Sequence, residues 1–103
     1  MNNSGQPSGS INDLAQSLLR LNQRAAKEYG QIVEQILNSK CRDVSHIEHI
    51  LDGLLDFCGY APALEHYRRL CRNYYDINPV AAAYYAHAYR EMWDLNNDGE
   101  SEE

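Results

Sequence analysis

Residues Asp94 to Gly99 read D-L-N-N-D-G, with side-chain oxygens at alternate positions and a glycine at the sixth, which is how an EF-hand loop opens. Asp94, Asn96 and Asp98 would supply the first ligands to a calcium ion. Such a loop closes on a bidentate glutamate at its twelfth position, and that position falls two residues past Glu103. Asn96, Asn97 and Gly99 also tolerate the left-handed conformation in which helices end. The expected role is therefore a helix stop, with a weak cation site as the alternative. Five carboxylates beyond a helix C-terminus face the negative end of its dipole, and either a cation or plain solvation relieves that.

His46 and His49 lie on adjacent turns of the next candidate element, and Asp52 follows three residues later. Zinc sites with two histidines on one helix need further ligands from elsewhere, and no spacing in the chain identifies them. These histidines are expected to flank a core, and Glu48, Asp52 and Asp56 to form a solvated face. Cys41, Cys58 and Cys71 are odd in number and show neither a C-x-x-C nor a paired Cys/His pattern, so no disulfide framework or zinc ribbon is expected.

Arg68, Arg69 and Arg72 stand beside Tyr74 and Tyr75, and Tyr84, Tyr85, Tyr89, Arg90 and Trp93 follow. Arginines interleaved with aromatics suit single-stranded nucleic acid, with charge for phosphates and ring faces for bases. At helical spacing Tyr67 and Tyr74 fall on the apolar stripe and the arginines opposite it, so core tyrosines beneath a solvated basic face is the plainer reading. Arg68, Arg69, Arg72 and Arg90 remain the nucleic-acid candidates. No nucleophile-bearing turn, phosphate-cradling glycine loop or metal motif occurs. Neither an enzyme nor a cofactor is expected, and no small-molecule substrate is evident.

The elements that would position these residues are all helices. Residues 1–9 lack apolar side chains after Met1 and are expected to be a disordered leader, with order starting at Ser10, which can cap a helix together with Asp13. Ile11, Leu14, Leu18, Leu21, Ala25, Tyr29, Ile32 and Ile36 then recur at steps of three and four. That stripe predicts one helix of about 28 residues, roughly 40 Å long, with Gly30 as its weak point. Ser45 with Glu48 reads as the capping box of a second helix that Gly59 stops, Pro62 as the first turn of a third, and Asn78-Pro79 as the start of a fourth. These starts fall about 17 residues apart, or 34 per helix pair, the length of a tetratricopeptide repeat. Three helices of similar length joined by short turns give the same spacing by chance, and too few pairs are present for a stacked array.

The expected fold is all-α: a four-helix, bundle-like domain over residues 10–95, with one long helix, three shorter ones and an acidic disordered tail at 96–103. The fourth helix is apolar over a wide arc, either because it is central to its own bundle, the favoured reading, or because it is shared with a partner. The first helix should overhang the shorter three by some 15 Å. Ile11, Leu14, Leu18, Leu21, Tyr85, Tyr89 and Trp93 are accordingly the interface candidates.

Fifteen acids against nine bases give a formal charge of −6, but five of those acids lie in the last ten residues, and without them ten acids face nine bases. Acidity is thus expected of the tail and not of the body. No apolar run reaches the ~20 residues of a membrane span, and the first residues do not resemble a signal peptide, so a cytoplasmic chain is expected. The function expected is a non-enzymatic interaction module, most simply a homodimer. A nucleic-acid accessory protein is the alternative, and a cation-responsive module built on the tail a third.

Overall fold

The computed structural model describes residues 6–93, with residues 6–10 as backbone alone. Four helices follow one another: α1 (Gln6–Ser39), α2 (Val44–Leu55), α3 (Ala61–Tyr75) and α4 (Pro79–Trp93). Among the described residues there is no strand, and the fold is all-α. Neither residues 1–5 nor the tail from Asp94 onward belongs to the described part, so Asp94, Asn96 and Asp98 lie outside it.

α1 runs unbroken for 34 residues, about 51 Å at the rise of an α-helix. It starts at Gln6, so Ser10 lies within the helix and does not cap it. Pro7 has no N–H and suits a first turn, where that donor would go unused. No break occurs at Gly30. A Cβ there would stand 2.5 Å from Nε2 of His66, so the absent side chain is what lets α3 approach α1. The helix ends where Lys40 takes a left-handed conformation (φ 56°) and the Cys41 and Lys40 amides turn back to the carbonyls of Ile36 and Leu37. This paired closure satisfies carbonyls that the last turn leaves open.

α2 is capped by Asp43, whose Oδ1 accepts the His46 amide at 3.3 Å, and not by Ser45. Glu48, the expected partner in that capping box, is engaged by Tyr74 instead. The helix also ends at Leu55, before Gly59. Gly59 serves packing: a Cβ there would lie 2.7 Å from the Trp93 ring. α4 begins as its sequence predicts, with Asn78 Oδ1 accepting the Ala81 amide at 3.1 Å.

The core lies where α1, α2 and α3 meet, around Val33, Ile47, Leu51, Leu54, Leu70 and Tyr74. α3 is the central element and packs against all three others, whereas α4 packs chiefly on α3. The expectation of a central fourth helix is therefore overturned. Of its wide apolar arc only Ala82 and Tyr85 are buried, and Met92 and Trp93 are exposed. The molecule measures 60 × 41 × 17 Å with a radius of gyration of 17.4 Å, where a compact chain of this length would have about 13 Å. No helix is long and apolar enough to cross a membrane among the described residues.

Candidate functional site

Two surfaces stand out, and each starts from a helical stripe. The first is the N-terminal half of α1. Its apolar positions share one face because they recur at steps of three and four, yet Ile11 is 67% exposed, Leu14 62%, and Leu18 and Leu21 53% each. From Ile11 onward the first buried side chain of the helix is Ala26, and its covered stripe continues through Val33 and Ile36. Tyr29 and Ile32, placed on the buried stripe by spacing alone, sit at its edge, half-buried. Four of the seven expected interface residues are thus uncovered together.

The other three are divided. Tyr85 is buried in this chain's own core, and its assignment to an interface is corrected accordingly. Its hydroxyl donates to Asp52 at 2.9 Å, while its carbonyl accepts the Tyr67 hydroxyl at 2.6 Å. Trp93 lays its ring on Gly59 and donates from Nε1 to the Leu55 carbonyl at 2.8 Å, which ties the end of α4 to α2. Tyr89 is half-buried, with its ring 6.4 Å from that of Tyr67.

The acidic stripe of α2 is more than a solvated face. Glu48 accepts from Tyr74 and Asp52 from Tyr85, so two of its carboxylates anchor tyrosines of α3 and α4. Burial first, and then the neighbouring Glu48, push the Tyr74 phenol up to about 12. Burial and Asp52 raise Tyr85 likewise. Both phenols stay protonated at neutral pH and serve as donors. Little in the sequence could have paired them, because the partners lie 26 and 33 residues apart.

The second surface is a groove of about 390 Å³ between α3 and α4. Arg68 and Arg72 stand one turn apart on α3, Arg90 faces them from α4, and Tyr67, Cys71 and Tyr89 line the walls. No carboxylate is among the described residues that line it. Cys71 adds no negative charge, because burial pushes its thiol up to about 11; Cys58, pushed up to about 12 by burial, is equally neutral. Neither is a thiolate nucleophile at neutral pH. Arg69, the fourth basic candidate, does not join the groove. It turns toward α1 and bonds Glu34 at 2.7 Å.

His46 and His49 flank an apolar recess between α1 and α2 near Glu28, Tyr29 and Phe57, while Asp52 is held on another side by Tyr85. The three potential ligands of α2 are thereby separated, and no cluster of three or more such groups occurs among the described residues. The residues that sequence reasoning passed over are Glu34, Gly53 and His66. Each acts across a helix pair: Glu34 on Arg69, His66 over Gly30, and Gly53 beneath the Tyr29 hydroxyl. No family model matches the chain, and neither a curated protein nor a solved structure does.

Proposed function

We propose that this chain is a non-enzymatic protein-interaction module that self-associates through the N-terminal half of α1. One observation carries the reading: Ile11, Leu14, Leu18 and Leu21 form a single apolar face on a helix that leaves its own bundle. Such a face in water forgoes part of the roughly 1.5 to 3 kcal/mol that burying each side chain would contribute. A second copy is the simplest cover. The stripe, extended to Ala25, is nearly symmetric about Leu18, so an antiparallel copy sets Leu18 on Leu18 and Leu14 opposite Leu21. The same pairing brings Asp13 to within a residue of the level of Arg24 of the second copy. The overhang is about 24 Å long, and two such helices in contact bury on the order of 1,000 Å² in total, the lower end of what a specific interface needs.

A cytoplasmic location belongs to the same proposal. All three cysteines are unpaired, which suits a reducing compartment. Light scattering at micromolar concentration tests the assembly: the unmodified chain should be a dimer and Leu18→Asp a monomer that keeps most of its helicity. A monomeric mass for the unmodified chain refutes the proposal.

A further inference from the structure

Arg68 and Arg72 at one groove form an arrangement that their own packing does not require. Arg68 and Arg72 lie at i and i+4 on α3, where like charges repel and destabilise a helix. Among the described residues neither makes an ion pair, whereas Arg69 beside them has Glu34. Cys71 brings no negative charge to the groove, for the reason already given. An anion would relieve this concentration of charge, and the concave shape favours a short segment over an extended phosphate track. Losing Arg69 to the other side of α3 leaves too narrow a basic strip for a polynucleotide backbone, and among the described residues that line the groove Tyr89 is the one ring a base could stack on, Tyr67 being buried.

The chain carries an acidic segment at the right place. Residues 94–103 contain Asp94, Asp98, Glu100, Glu102 and Glu103 with no Lys or Arg, and in sequence they follow directly on α4, starting four residues after Arg90. From Leu64 to Arg72 the groove wall extends about 12 Å along α3, and ten residues can span up to about 33 Å. We propose that the α3–α4 groove is a docking site for an acidic peptide, and that segment 94–103 of the same chain occupies it through Arg68 and Arg72. Exposed charge pairs are individually weak. Tethering compensates. A short linker holds the segment at an effective concentration of about 1 mM, so an intrinsic Kd of ~0.1 mM leaves it bound about ten to one. Any acidic partner reaching the groove must displace it.

The test uses a synthetic peptide of residues 94–103 titrated by calorimetry into the full chain and into a chain ending at Trp93, with circular dichroism confirming that both fold. The shortened chain should bind the peptide, the full chain should bind it about tenfold more weakly, and Arg68→Glu with Arg72→Glu in the shortened chain should abolish binding. Equal affinity for both chains, or no binding by a folded shortened chain, overturns the proposal. So does tighter binding of a single-stranded oligonucleotide than of the peptide by the shortened chain, which would hand the groove to nucleic acid. If the shortened chain does not fold, the full chain decides: changing the five tail acids to their amides should shift the Nε–Hε resonances of Arg68 and Arg72. Unchanged resonances overturn the proposal as well.

Discussion

The two halves of α1 have the same apolar rhythm and opposite surroundings. From Ile11 to Leu21 the stripe faces out, and from Ala26 to Ile36 it is covered by α2 and α3. Within the covered half the buried line also rotates by one position, from the larger Tyr29 and Ile32 toward Ala26, Gly30 and Val33. Small residues win the centre because they let α3 come close, and the bulky ones are displaced to the flanks, where they still shield the seam. Periodicity therefore identifies an apolar face. It does not say which residue of that face will be deepest, or whether anything will lie upon it.

Placing one charge in each half gives the largest expected effect. Val33 is fully buried, so Val33→Asp leaves an unpaired carboxylate in the core, costs several kcal/mol and should remove most of the helical signal at room temperature. In Leu18→Asp the thermal midpoint, extrapolated to low concentration where the chain is monomeric, should match that of the unmodified chain, with only self-association lost. If Leu18→Asp unfolds the monomer instead, the N-terminal half is part of the bundle and the contrast between the halves is wrong.

Gly30 tests whether close approach governs the covered half. Alanine should favour an isolated helix by about 1 kcal/mol, yet here its Cβ meets His66, whose Nδ1 is already buried without a hydrogen-bond partner among the described residues. Gly30→Ala should therefore destabilise by about 1 to 2 kcal/mol in urea unfolding. In a His66→Ala background the same change should become stabilising. A stabilising Gly30→Ala in the unmodified chain would show that the ring moves aside at little cost.

A smaller effect should come from the tyrosine anchors, which the covered side alone possesses. Tyr74 titrates near 12 in the fold against an ordinary 10.0, a raised pKa. Its contribution is thus fully present below about pH 10 and lost as pH rises through 12. Urea midpoints should fall over that window. Tyr74→Phe should cost about 1 kcal/mol at neutral pH and make the alkaline decline shallower, with Tyr85 left to sustain the rest. An unchanged slope would mean that Tyr74 does not titrate in that range.

The smallest expected effect is at Glu34. Its bond to Arg69 joins α1 to α3 but is half in water, so Glu34→Gln should cost less than about 1 kcal/mol, and less still in high salt. A double-mutant cycle with Arg69→Ala measures the coupling. A salt-insensitive coupling above 2 kcal/mol would make this pair a structural tie of the covered half.

What could be seen in the sequence was local. The four helices, the Asn78 cap and the apolar stripes depend on backbone chemistry within a few residues and on the 3.6-residue repeat, and all were legible. The α2 cap was misplaced by two residues because Asp43 and Ser45 are both competent capping groups, and the choice between them depends on where the chain from α1 enters. Gly30 and Gly59 read as a weak point and a stop for the same reason. A missing side chain looks alike whether it loosens a helix or admits a ring from 34 or 36 residues away.

The candidate site divides along the same line. That Arg68, Arg72 and Arg90 are basic and set among aromatics was plain from their order in the chain. Their convergence in one groove, the departure of Arg69 to Glu34 and the burial of Tyr85 were decided by how α3 and α4 pack. The reason is physical. Hydrogen bonds along a helix are made between residues four apart, so sequence alone specifies them, whereas the facing of one helix toward another is set by side chains distant in sequence that fit only after the chain has come together.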